Sequence, residues 1–221
     1  MTRLAEKSTD VTPRRTQAER RDESERGLVQ AAIGVVAEQG VGAATFEAIG
    51  RRAGYSRGLA TQRFGSKRAL IEAVIDWLHE QQEEALEAAG IDGRPGFQAV
   101  LDYVDLYVRG LAAGEHGQAY FMLLSSAVAD ATDLRSAFAA EHWRIEGRLE
   151  ALLRRGQAEG DIRAGLDPRA AALMIGSLLL GLSMQRLVDP DTDLESIRET
   201  SLATLRLGFG VAANSSGKTA P

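Results

Sequence analysis

The chain has 221 residues, enough for one large domain or two small ones, and its 44% hydrophobic and 26% charged residues match the average for soluble globular domains rather than disordered or membrane-spanning chains. It contains no cysteine, which excludes disulfides, thiolate metal sites, thiol redox sensing and cysteine nucleophiles, and fits a cytoplasmic setting. The formal net charge of −5 is unevenly divided: residues 1–68 hold 13 Lys and Arg against 8 Asp and Glu (+5), whereas residues 69–221 hold 13 against 23 (−10). A basic head on an acidic body suits phosphate binding at one end and repels nucleic acid from the other. Clustering of Arg14, Arg15, Arg20 and Arg21 in a solvated tail produces the same imbalance.

Residues 1–22 carry no apolar periodicity and no apolar core of a signal peptide, and are expected to form a disordered arm. Such an arm either keeps the chain soluble or carries arginines into a minor groove. From about Glu23 to Gln39, Leu28, Ala31, Ala32, Val35 and Val36 recur at helical spacing, and Gly40 ends the segment. Thr45 is the N-cap of a short helix with Phe46, Ile49 and Ala53 on one face, stopped by Gly54. Ser56 caps a second short helix, ending near Phe64 and Gly65, with Arg57, Gln62 and Arg63 on its predicted exposed face; Ser66 caps a third. Residues 45–64 therefore read as a helix-turn-helix inside a three-helix head spanning 23–72.

The helix from Ser66 shows Leu70, Ile71, Val74, Ile75 and Leu78 on one face and runs to about Ala88, linking head to body. Gly90 to Gly96 is the clearest loop. After it, Phe97, Val100, Leu101, Val104, Tyr107, Val108 and Leu111 keep a 3.6-residue period, with Tyr103 and Leu106 off that stripe, so this helix is expected to be buried on more than one side. Gln118–Asp130 is another apolar segment of helix length, and Leu134 to about Gly160 a long helix with Phe138, His142, Ile145, Leu149, Leu152 and Leu153 along it. Pro168 opens the next helix, in which Ala170–Met184 is fifteen residues without a charge. About twenty are needed to cross a bilayer, so the segment is expected to be a central helix or one that meets a partner subunit. A last helix covers about 193–211, and 213–221 is expected to be a disordered polar tail. The fold class is all-α, a three-helix head plus a larger helical bundle over 73–212.

Helix N-termini at Thr45, Ser56 and beside Lys67 offer backbone N–H groups, hydroxyls and an ammonium to phosphate. Arg57 and Arg63 carry the fork that pairs with guanine, Gln62 the amide that pairs with adenine. The same residues also serve as plain caps and a solvated face. No catalytic site is expected: His79, His116 and His142 are widely separated, and there is no metal-binding spacing, nucleotide fingerprint or serine elbow, so neither a metal nor a cofactor is expected. His142, on an apolar stripe, reads as a hydrogen-bonded core histidine rather than a metal ligand. Tyr103, Leu106, Tyr107, Phe121, Met122, Trp143, Met174 and Met184 are large or adaptable apolar residues of the kind that line pockets between bundle helices, and equally of the kind that fill cores.

One stretch also carries a family likeness. Ile49-Gly50, Ala53-Gly54, Ser56-Arg57-Gly58, Phe64, Ser66-Lys67 and Leu70 fall in the order of the DNA-binding head of the TetR family of bacterial transcriptional regulators, which residues 25–72 resemble. Gly50 stands where that family usually has alanine, and Thr61 where it generally has a tyrosine that touches phosphate. The resemblance implies DNA contacts from Thr45, Ser56, Arg57, Gly58, Thr61, Gln62, Arg63 and Lys67, and a body that binds a small effector and releases DNA. It also implies a homodimer through the last two helices, 168–188 and 193–211. The expected function is a homodimeric repressor that leaves a palindromic double-stranded operator when a small, largely apolar effector binds. The alternative is an all-helical small-molecule carrier whose head no longer binds DNA.

Overall fold

The computed structural model describes residues 16–112, 114–129 and 134–211. Among these, nine α-helices follow one another: α1 (Gln17–Gln39), α2 (Phe46–Ala53), α3 (Arg57–Phe64), α4 (Lys67–Ala88), α5 (Gly96–Ala112), α6 (Glu115–Ala129), α7 (Arg135–Glu159), α8 (Pro168–Val188) and α9 (Leu194–Phe209). The expected all-α class holds. An isolated antiparallel bridge between Ile162 and Gly210 ties the α7–α8 loop to the end of α9.

α1 starts six residues before the expected Glu23, so 17–22 is helix rather than arm; residues 1–15 and the tail from 212 lie outside the described residues. The start is a capping box. The Thr16 hydroxyl accepts from the Glu19 N–H at 3.2 Å and the Glu19 carboxylate accepts from the Thr16 N–H at 2.7 Å. An exposed Arg21–Glu25 pair follows one turn later, so this end is set by polar bonds and carries no apolar period.

The helices enclose two hydrophobic clusters. The first joins α1, Ile49 of α2, Ala60 of α3 and the N-terminal half of α4 to Phe121, Leu123 and Leu124 of α6 and Phe138 of α7. The second gathers Leu86, Ile91, α5, α7, α8 and α9 around Tyr103, Leu149 and Leu153. Burying each of these large side chains contributes about 1.5–3 kcal/mol. The expected boundary at 72/73 falls inside α4, whose Val74, Ile75 and Leu78 belong to the head cluster. The head is completed by α6, with Gln118 donating to the Ala37 carbonyl at 3.0 Å, because three helices, two of them only two turns long, bury too little apolar surface alone.

The body is locked by a close helix crossing. A β-carbon on Gly96 would stand 2.2 Å from the Gly156 nitrogen and 2.5 Å from the Leu152 carbonyl, so α5 and α7 meet backbone to backbone there. The Glu159 carboxylate accepts from the Gly96 N–H at 2.6 Å and caps α5. α8 is long and apolar enough, at 21 residues and mean hydropathy 1.6, to cross a membrane by length and composition alone, whereas the uncharged run at its centre is not. It packs among α5, α6 and α7, yet only 33% of its most apolar window is buried.

Candidate nucleic-acid interface and interhelical cavity

The helix-turn-helix is built by its caps. The Thr45 hydroxyl accepts from Ala48 N–H (3.2 Å), Ser56 from Leu59 N–H (3.1 Å) and Ser66 from Ala69 N–H (3.1 Å). Between the first two, Gly54 takes the left-handed conformation (φ 74°), and the Tyr55 N–H returns to the Gly50 carbonyl at 2.8 Å. Gly50 lets this turn fold tightly onto α2, because a β-carbon there would lie 3.0 Å from the Tyr55 carbonyl oxygen.

Seven of the eight expected DNA-facing residues, Thr45, Ser56, Arg57, Gly58, Thr61, Gln62 and Lys67, are exposed. Arg57 and Gln62 take part in no side-chain hydrogen bond or ion pair among the described residues, so both present their full donor sets outward. Arg63 departs from the expectation of an exposed reading residue. It is half-buried and its Nε donates to Ser24 Oγ at 3.0 Å, bracing α3 against α1. Thr61 spends its hydroxyl proton on the Arg57 carbonyl at 3.0 Å, so in this state it offers phosphate no donor. Lys67 is anchored to the Val41 carbonyl at 2.9 Å with its remaining ammonium protons unassigned to that bond. Arg52, absent from the expected set, is held by Glu38 through two bonds of 2.6 and 2.8 Å.

Below the head, α4, α5, α6, α7 and α8 surround a cavity of about 880 Å³. Tyr103, Leu106, Tyr107 and Phe121 line it as expected. Met122, Trp143 and Met174 do not: Met122 packs against the head cluster, Trp143 is 71% exposed, and Met174 is 48% exposed on the outer side of α8. Met184 is also exposed, meeting the Ser125 hydroxyl at 3.7 Å. Apolar size signalled all of them, but only the helix rotation decides which face inward.

Residues outside the expected pocket set complete the wall, including Gln82 and Leu86 of α4, Gly176 and Ser177 of α8, Tyr120 and His142. The Ser183 hydroxyl donates to the Leu179 carbonyl (2.8 Å), so in its 3.0 Å contact with Tyr107 the phenol is the donor. Burial pushes the Tyr107 phenol up to about 12, and the Tyr103 and Tyr120 phenols higher still, so all three stay protonated. The Tyr120 ring packs edge-to-face on His79, Phe121 and Phe138. α6 is thus shared: Tyr120 and Phe121 line the cavity while Phe121 also belongs to the head core. Beside it lies a buried ionic group in which the Glu141 carboxylate, 4% exposed, accepts from Arg144 and faces His79 Nδ1 at 3.5 Å.

A helix-turn-helix with an outward polar face, set on a helical bundle that encloses a drug-sized cavity, defines a ligand-binding DNA-binding regulator. Two family profiles match the chain: "Bacterial regulatory proteins, tetR family" over residues 28–74, and "BetI-type transcriptional repressor, C-terminal" over residues 99–208. The chain belongs to the TetR family of transcriptional regulators, which are DNA-binding proteins and not enzymes. It is 40% identical over 92 residues to the HTH-type transcriptional regulator CymR of Pseudomonas putida, an overlap of 42% of this chain and 45% of that protein, so it spans about half of that relative's length. Among solved structures it resembles the SmeT–triclosan complex, SmeT being the repressor of a Stenotrophomonas maltophilia multidrug efflux pump, with TM-score 0.72, 27% identity and coverage of 86% of this chain and 93% of that one. A TetR transcriptional regulator from Chloroflexus aurantiacus shares the fold with TM-score 0.75 at 21% identity, covering 87% and 99%.

Proposed function

We propose that the protein is a cytoplasmic homodimeric repressor that binds a palindromic operator and is released when a small, largely apolar effector enters the cavity. The observation that carries this is the contrast on α3. Arg57 and Gln62 stand exposed and unpaired among the described residues, the chemistry that reads guanine and adenine edges, while Arg63 fixes the helix from behind. Ser56 and Thr45 present helix N-termini beside them for phosphate.

Release follows from the sharing of α6 and α4 between cavity and head. A ligand that wedges Tyr120 and Phe121 shifts helices that also form the head core, and it lowers DNA affinity by its preference for the shifted state. Triclosan bound to SmeT, a structural relative, supports an apolar molecule as effector. Two heads would then address half-sites about 34–36 Å apart.

Fluorescence anisotropy with duplexes from the chain's own upstream region, at several salt concentrations, tests the reading. Tight, salt-dependent binding that Arg57→Ala weakens is expected. If no duplex binds in a salt-dependent manner, the head is not a DNA reader and the carrier reading takes its place.

A further inference from the structure

Several of the cavity's polar groups are committed. Tyr107 donates to Ser183, Tyr103 accepts from Gln82 at 3.3 Å, and Gln81 donates to Glu84 at 2.9 Å. Among the described residues, the Tyr120 hydroxyl, which is shut off from solvent, and His116 and Ser177, which are exposed, line the cavity and make no side-chain hydrogen bond. His142 differs: it lines the cavity, is half-buried, and its imidazole makes no hydrogen bond or ion pair among the described residues. A neutral imidazole carries one donor and one acceptor, and in an apolar wall such a group is poorly compensated until a partner arrives.

Charge narrows the partner. Among the described residues no lysine or arginine lines the cavity, so an anionic ligand would lose its hydration with nothing there to replace it. Of the two lining carboxylates among the described residues, Glu146 faces Arg169 at 3.8 Å and Glu115 is exposed in the first turn of α6, so a cation finds no unpaired buried acid among them.

We infer that His142 is the specificity-determining polar anchor of the cavity, and that the effector is an uncharged, mainly apolar molecule bearing one hydroxyl-type oxygen that meets the imidazole. This rests on reading the cavity as the effector site. A hydroxyl both donates and accepts, so either tautomer of His142 satisfies it, while the remaining ligand surface packs on Leu106, Tyr107 and Phe121.

The test uses four probes of one shape, benzhydrol, diphenylmethane, diphenylacetate and benzhydrylammonium, titrated by calorimetry into the full chain, His142→Phe, His142→Gln and Gly176→Leu. Gly176 lines the cavity and a β-carbon there meets no atom within 4 Å, so leucine can start without a backbone clash and adds bulk at the wall, with Tm measured alongside. Benzhydrol is expected to bind about five- to tenfold tighter than diphenylmethane, and tighter than either ion. His142→Phe removes that preference at unchanged Tm, His142→Gln retains part of it, and Gly176→Leu weakens every probe. If Gly176→Leu blocks binding but His142→Phe leaves the hydroxyl preference intact, or if either ion binds tightest, the anchor is overturned while the cavity remains the ligand site. If no probe binds, or Gly176→Leu changes nothing, the effector-site reading falls and the anchor with it.

Discussion

Arg63 Nε donates to Ser24 Oγ at 3.0 Å across 39 residues of sequence, while Arg57, six residues earlier on the same two-turn helix, reaches outward. Ser24 in turn donates to the Arg21 carbonyl at 2.8 Å, so the bond fixes α3 to a rigid point on α1. The two arginines therefore fail differently. Arg57→Ala is expected to cost about 1–3 kcal/mol of operator affinity at constant Tm. Arg63→Ala is expected to lower stability by about 1 kcal/mol and to weaken all duplexes alike, as is Ser24→Ala. Thermal melts beside DNA titrations separate the two; equal Tm and equal loss of sequence preference in both arginine variants would contradict the assignment.

The same substitution has opposite signs at two glycines. Alanine at Gly96 drives its β-carbon into the backbone of Gly156 and Leu152, where nothing flexible can give way, and about 3 kcal/mol of destabilisation is expected. Alanine at Gly176, mid-helix with open space beside it, is expected to raise stability by about 0.5–1 kcal/mol by restricting the unfolded chain. Urea midpoints of the two variants against wild type check both signs.

The caps at Thr45, Ser56 and Ser66 and the stop at Gly54 were legible because each is a bond or conformation settled within four residues. Long-range choices were not. Nothing local distinguishes Arg63, which turns back to Ser24, from Arg57, which does not, since both sit on a short polar helix. Trp143 and Met174 have the composition of pocket residues, but packing against neighbouring helices rotated them to the outside. The start of α1 was missed for a different reason: Thr16 and Glu19 form a capping box ahead of the first apolar residue, where periodicity has nothing to detect. The same limit hid the division of the core, because α6 joins the head through Gln118 and Phe121, some eighty residues from α1 in sequence.

His79 confers a pH dependence whose sign follows from burial. Desolvation is the largest influence and lowers its pKa; Glu141 and Asp76 raise it, Arg144 and His142 lower it, and the net shift is downward from the ordinary 6.5. The unfolded chain therefore takes up the proton first. The stability this contributes is fully present above about pH 6.5 and is lost as pH falls toward the folded-state value, at no more than about 1.4 kcal/mol per pH unit. Tm is expected to drop on acidification from pH 7, with a shallower slope in His79→Gln. Arg144→Ala removes one cation that opposes protonation and is expected to shrink the slope as well, whereas a steeper slope in that variant would show that another group controls the titration.

The outer surface of the last two helices sets the final prediction. Val188 is 78% and Leu207 is 87% exposed, on α8 and α9, with Met174 also more than 45% exposed on α8. Single exposed apolar residues are ordinary, but here several lie along α8 with another on α9, and Gly181 on α8 is small enough for another helix to come close. A symmetric pair of such surfaces closes on itself as a dimer. Val188→Glu and Leu207→Glu place a carboxylate where an apolar contact would form and change no contact inside the protomer. Sedimentation equilibrium is expected to give about twice the 23.7 kDa chain mass for the wild type and a mass near the single chain for each variant, with helical content retained. The variants are also expected to lose affinity for a two-half-site operator far more than for a single half-site, because a monomer reads only one. A wild type that sediments as a monomer, or variants that remain dimeric, would place the subunit contact elsewhere or remove it.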